Sequence, residues 1–185
     1  MNKKLFTVRK MALCAVMVAL YVGLAMLAIP LGPLKLTVEA LPVIICALLI
    51  GPVEAAVVGL LGELLNQMMT YGFTPTTVLW VLPAVVRGLF VGGCVRLMNK
   101  RLSVEELAKS KRAVLLVVVC VLSGIIVSCL NTVTLYVDSK MFGYYSYAMV
   151  FGALVTRLIT GMIASAGMGI VAQPIVLALR KAKIF

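Results

Sequence analysis

Arg87 and Arg157 lie inside apolar runs, the first in "TPTTVLWVLPAVVRGLFVGG" (74–93) and the second in the stretch 147–178. On insertion scales an intramembrane guanidinium costs about 2.5 kcal/mol or more, so each arginine should have a partner or face a cavity. Arginine suits bidentate capture of a carboxylate or phosphate, and a low dielectric strengthens the pairing. Trp80 precedes Arg87 by seven residues, close to two helical turns, so the two project from nearly one face. Asn131 and Tyr136 fall in the outward half of the fifth apolar run, and Arg157 about three turns into the sixth. These positions converge on an outward-opening pocket lined by aromatic rings, an amide and two guanidiniums. Arg87 and Arg157 are assigned to the anionic part of a ligand, Trp80 and Tyr136 to its ring, and Asn131 to a hydrogen bond. The outer loops at Leu34 and Tyr144 are assigned to closure. Glu63 is the competing reading: it can neutralise one arginine but not two, because Glu39 and Glu54 fall near opposite surfaces.

Chemistry of bond breaking finds no support. The chain has no histidine, no Ser or Cys dyad, no paired carboxylates on one helical face and no glycine-rich phosphate loop opening a helix. The five cysteines lie in hydrophobic runs without CxxC spacing and read as small buried apolar residues, so neither a disulfide frame nor a metal site is expected. No cofactor is implied.

The elements that must position these residues are set by composition. Of 185 residues, 63% are hydrophobic and 12% charged, with a mean hydropathy of +1.16, outside the range of soluble domains. This predicts an all-α integral membrane protein forming one membrane domain over 1–185. A ~30 Å bilayer core needs about 20 helical residues, which predicts six transmembrane helices near 10–29, 37–50, 53–70, 76–97, 113–136 and 147–178. Gly51-Pro52 divides the second from the third. The first run is too long for a signal-peptide core and reads as a retained span.

Charge sets the orientation. Lys3, Lys4, Arg9 and Lys10 precede the first span, Arg96 to Arg112 holds six basic residues between the fourth and fifth, and Arg180, Lys181 and Lys183 end the chain. With six spans these clusters share a side, and the positive-inside rule makes both termini cytoplasmic. The outer loops, 30–36, 71–75 and 137–146, keep only Lys35 and Lys140. A net charge of +11 therefore marks topology, and no aromatic-basic motif points to nucleic acid. Four of the six tyrosines gather in "YVDSKMFGYYSY", as an interfacial belt or as a lid.

Small residues recur at helical spacing: Ala12, Ala15, Ala19 and Gly23 in the first span, Gly88 and Gly92 in the fourth, Gly161, Ser165 and Gly169 in the sixth. Such seams let helices approach closely in lipid. Internal packing is expected for the last two, whereas the first can face another subunit.

The basic N-terminus, the first helix with "AVMVA", and six short spans resemble the substrate-binding S subunits of energy-coupling factor (ECF) vitamin transporters. Within them, "LPVIICALLIGPVEAAVVGLLGELLNQ", "GFTPTTVLWVLPAVVRGLFVG", "LNTVTLY" and Arg157 are similar to the folate-type branch. The resemblance implies capture of a vitamin, folate or a related compound, by a plasma-membrane subunit that has no nucleotide site of its own. It also implies a coupling transmembrane protein and two cytoplasmic ATPases that hydrolyse ATP, with the S subunit toppling in the bilayer to release its cargo. Ala15 and Ala19 match the AxxxA contact to the coupling protein. Pantothenate, a pyridoxine-type vitamin or a modified-base precursor are the alternative cargoes. A structural or regulatory membrane subunit without ligand is the alternative of another class.

Overall fold

The computed structural model describes residues 8–31, 34–101 and 110–181. Among these residues there are six α-helices: α1 (Val8–Met26), α2 (Leu41–Leu49), α3 (Pro52–Tyr71), α4 (Thr77–Arg101), α5 (Ser110–Met141) and α6 (Leu154–Lys181). Two additions depart from a purely helical reading. Strands β1 (Ile29–Leu31) and β2 (Leu34–Leu36) pair antiparallel, with Ile29 opposite Leu36, where a loop over 30–36 was expected. A π-helical segment, Ala148–Gly152, precedes α6, so the expected run 147–178 is broken at Ala153.

Among the described residues, four helices are long and apolar enough to cross a membrane: α1, α4 over Thr77–Met98, α5 over Ala113–Met141, and the stretch Ala148–Lys181. Six helices are described, as expected, but α2 and α3 are not among these four. The nine residues of α2 rise about 14 Å, less than half of a bilayer core. Every side chain from Pro42 to Leu48 is buried, as a helix apolar all round requires. Helix α3 has 20 residues but carries Glu54, Glu63, Asn66 and Gln67, all buried on its inner side. Neither helix needs to meet lipid on every face, because α2 packs against α1, α3, α4 and α6, and α3 against α1 and α4.

The turn between α2 and α3 follows from its two residues. Gly51 adopts φ 154°, which disfavours a side chain, and Pro52 opens α3 with the ring-fixed φ that suits a first helical turn. The carbonyl of Leu48, near the end of α2, accepts a hydrogen bond from the Arg180 guanidinium at 2.9 Å. Lys10 on α1 pairs with Glu54 in the first turn of α3 at 2.8 Å, where the helix dipole also favours a carboxylate. These contacts place the start of α1, the end of α2, the start of α3 and the end of α6 at one end of the bundle. At the other end, the loop end, lie the β-hairpin and the 72–76 and 142–147 connections.

Small residues carry the closest helix approach. A Cβ on Gly88 would stand 2.7 Å from the carbonyl carbon of Ala55, so α3 and α4 touch backbone to backbone. Gly92 meets Pro52, Gly161 meets Ser128 and Gly169 meets Cys120, so the seams of the fourth and sixth runs are internal packing. On α1 the matching stripe is different: Ala12, Ala15, Ala19 and Gly23 are exposed. Cys14, Cys46 and Cys120 are buried and Cys94 partly so, while Cys129, expected inside, faces outward because it lies away from the side of α5 that meets α6.

Pro83 interrupts the ladder of α4, since it has no N–H for the carbonyl of Leu79. Thr134 on α5 donates its hydroxyl to that carbonyl at 3.3 Å. The proline is thereby tolerated in an apolar setting, where an unpaired carbonyl is costly.

Candidate ligand-binding site

A cavity of about 440 Å³ opens between the helices, lined from all six: Tyr21 of α1, Val43 of α2, Glu63 of α3, Trp80 and Arg87 of α4, Asn131 of α5 and Arg157 of α6. Thr37 and Glu39, between β2 and α2, complete one wall. Ligand pockets span about 300 to 1,000 Å³, so a vitamin-sized molecule fits.

Helical spacing explains the lining. On α4, Trp80, Pro83, Ala84 and Arg87 recur at three- and four-residue intervals and form one stripe along the cavity, while Gly88 turns to α3. On α5, Ser128, Asn131 and Leu135 do the same. Tyr136 is five residues beyond Asn131, about 140° round the helix, and does not line the cavity. Its ring is 40% exposed and packs edge-on against Tyr145, 5.6 Å between centroids. Tyr144 sits in the loop after α5, half exposed, and donates its hydroxyl to Asp138. Leu34 is placed in β2, but its side chain lies outside the described residues. Of the seven ligand-contacting positions predicted, Trp80, Arg87, Asn131 and Arg157 are brought together; Tyr136 and Tyr144 stand apart from them.

The two arginines differ. Arg87 lines the cavity, and its Nε is buried without a hydrogen-bond partner among the described residues. Arg157 donates from its terminal nitrogens to the carbonyls of Val150 at 3.3 Å and Met149 at 3.1 Å, in the π-helical segment. The guanidinium thereby ties α6 to two carbonyls of the segment that precedes it.

Glu63 pairs with neither arginine by hydrogen bond or close ion pair. Its Oε2 accepts from the Tyr21 hydroxyl at 2.8 Å and from the Asn66 amide at 3.3 Å, and its Oε1 from Gln67 at 2.7 Å. Asn66 and Gln67 stand three and four residues on, the spacing at which helix side chains meet. The carboxylate is held by neutral donors from α1 and α3. Its negative charge still faces the same cavity as Arg87.

Sequence reasoning missed Tyr21, whose position in an apolar first span gives no sign that it points at a carboxylate two helices away in sequence. It also passed over the hydroxyls of Ser128, Thr160 and Ser165 on the cavity wall. Their spacing at three and four residues from Asn131, Arg157 and Gly161 was the available signal. No cluster of His, Cys, Asp or Glu suited to a metal occurs among the described residues.

The family model described as the ECF-type riboflavin transporter, S component, matches residues 5–181. The chain belongs to this family. It is thus an S component, a substrate-binding subunit of an ECF vitamin transporter, resident in the membrane and not an enzyme. S components in general work with an ECF membrane protein and ATPases. The match extends over nearly the whole chain but gives no support to the folate-type branch in particular. No curated protein and no solved structure matches the chain.

Proposed function

We propose that this S component captures an anionic, ring-bearing vitamin, folate or a related compound, in the cavity between Trp80 and Arg87. The observation that carries the reading is the Arg87 Nε, a buried charged donor without an acceptor among the described residues, on a side chain that lines the cavity. Leaving such a group unpaired costs about 1–3 kcal/mol, and a carboxylate recovers it with a charge-assisted bond. Glu63 already accepts from Tyr21, Asn66 and Gln67 and makes no hydrogen bond to Arg87. Trp80, on the same stripe, offers a stacking face, and Asn131 an amide to the rest of the ring.

In this reading both termini are cytoplasmic, as the distribution of basic residues favours, and the loop end of the bundle faces outside. The exposed stripe of Ala15 and Ala19 on α1 docks the coupling transmembrane protein, and two cytoplasmic ATPases supply the energy of transport. Pantothenate, a pyridoxine-type vitamin and a modified-base precursor remain competing cargoes. Riboflavin is a further one, favoured by the description of the matched family.

The test uses the purified subunit and its single tryptophan, Trp80. Tryptophan fluorescence and thermal stability are followed against folate, riboflavin, pantothenate and pyridoxine. A ligand at 100 times its dissociation constant raises stability by about 2.7 kcal/mol. Folate is expected to stabilise the wild type and to lose at least tenfold in affinity in Arg87→Gln. Stabilisation by riboflavin alone, unaffected by Arg87→Gln, would establish the uncharged ring as the cargo instead.

A further inference from the structure

We propose that Asp138 is a positioning residue for the site: one carboxylate that ties two loops across the rim of the cavity and controls access to Trp80. On α5, Asn131, Leu135 and Asp138 lie at i, i+4 and i+7, so Asp138 stands one turn beyond the lining residue Leu135 on the same face. Thr76 stands in the same relation to Trp80. The Trp80 N–H bonds the Thr76 carbonyl at 3.2 Å, so Thr76 is one turn beyond the tryptophan at the start of α4. The Thr76 hydroxyl donates to Oδ1 of Asp138, and the Tyr144 hydroxyl donates to Oδ2. The α3–α4 connection and the α5–π connection therefore meet on the two oxygens of a single side chain.

A carboxylate is an odd choice at this place on local grounds. Asp138 is in the last turn of α5, where the helix dipole disfavours negative charge. The two hydroxyl donors compensate it. Thr76 is almost wholly buried at 1% exposure, and its hydroxyl is also within 3.2 Å of the Thr74 hydroxyl, so the bond to Asp138 belongs to a small hydroxyl network. The α5–π connection has a second tether of its own: Lys140 lies 4.2 Å from the centre of the Tyr145 ring, in cation–π range. The inference rests on the cavity being the ligand site, but it does not depend on which vitamin fills it.

Acrylamide quenching of Trp80 fluorescence in the purified, unliganded subunit tests it. The quenching constant is expected to rise at least twofold in Asp138→Ala and by a smaller amount in Thr76→Val and in Tyr144→Phe, each of which removes one tie. Asp138→Asn, which keeps one acceptor oxygen, is expected between wild type and Asp138→Ala. An unchanged quenching constant in folded Asp138→Ala overturns the proposal, as does a lowered unfolding temperature with unchanged quenching. If Asp138→Ala does not fold, the paired variant Thr76→Val with Tyr144→Phe carries the same expectation and the same refutation. With folate as the probe ligand, the dissociation rate should rise in these variants by a larger factor than the association rate. Absence of folate binding in the wild type would count against the cargo, whereas the quenching result alone decides the role of Asp138.

Discussion

The hydroxyl of Tyr21 on α1 donates to Oε2 of Glu63 on α3 at 2.8 Å, across the floor of the cavity that Arg87 also lines. This contact decides what kind of field a ligand meets there. With Tyr21, Asn66 and Gln67 around it, the Glu63 carboxylate finds its donors without drawing the arginine across. Tyr21→Phe removes the strongest tie from α1 and leaves the carboxylate short of a donor. Arg87, a cation lining the same cavity, is available to replace it. The variant should therefore weaken binding of an acidic ligand by roughly three- to tenfold, about 0.7–1.4 kcal/mol, the range of one hydrogen bond. Titration by Trp80 fluorescence measures it, and affinity equal to wild type would show that Glu63 and Arg87 do not exchange partners.

The arginines should separate in the same assay. Arg87→Ala removes the buried donor that has no acceptor among the described residues, and the expected loss is at least tenfold for an anion. Arg157→Ala also frees the carbonyls of Met149 and Val150, so it should loosen the π-helical segment as well as lower affinity. Hydrogen exchange of residues 148–153 distinguishes the two: faster exchange is expected in Arg157→Ala and not in Arg87→Ala. Equal exchange in both would remove the structural role assigned to Arg157.

The stripe of Trp80 and Arg87 could be read from the sequence because both sit on one uninterrupted helix, where a spacing of seven fixes the face. The partners of Glu63 could not, except Asn66 and Gln67, because Tyr21 is brought to it by packing of α1 on α3 and not by any spacing. Tyr136 shows the reverse error: it was placed by depth along α5, and depth says nothing about rotation. A five-residue step from Asn131 turns the ring away. The bounds of α2, expected over 37–50 and found at Leu41–Leu49, are not legible because an apolar run reads alike whether it crosses lipid or is buried among helices, and only its neighbours tell the two apart. The π-helical segment likewise depends on where Arg157 finds acceptors, which no local pattern encodes.

Thr134 offers a test of how Pro83 is accommodated. Thr134→Val keeps the shape and deletes the donor to the Leu79 carbonyl. An unsatisfied carbonyl in an apolar setting costs about 1–3 kcal/mol, so the unfolding temperature should fall measurably. Replacing Pro83 by Ala in the same chain restores the N–H for Leu79 and should recover most of the loss. A double variant no more stable than Thr134→Val alone would break the link between the two residues.

Tyr144 gives the loop end a distinctive alkaline response. Partial burial, then the hydrogen bond to Asp138 and its charge, push the hydroxyl from 10.0 up to about 12. The folded chain holds this proton where the unfolded chain has released it. The contribution is therefore complete below pH 10.0 and is lost as the pH rises through about 12. Unfolding temperatures of wild type and Tyr144→Phe should differ at neutral pH and converge over that alkaline interval. A constant difference across it would mean that the hydroxyl proton is not what stabilises the loop.

The α1 stripe is the remaining surface with a definite expectation. Ala12, Ala15, Ala19 and Gly23 present a smooth exposed face, flanked by Val16 at 55% and Leu20 at 49% exposure, while Met17, Val18 and Tyr21 on the opposite side are buried. The two faces let the proposed docking be tested apart from ligand binding on one helix. Ala15→Trp with Ala19→Trp adds bulk only to the exposed side, so Tyr21 and its bond to Glu63 stay in place. Ligand affinity should remain within twofold of wild type, while co-purification with the coupling transmembrane protein is lost. Small-residue stripes support close helix approach, and two indoles would hold a partner helix several ångströms away. Retained co-purification would exclude this face as the docking surface, and lost affinity would mean that α1 cannot be perturbed on one side alone.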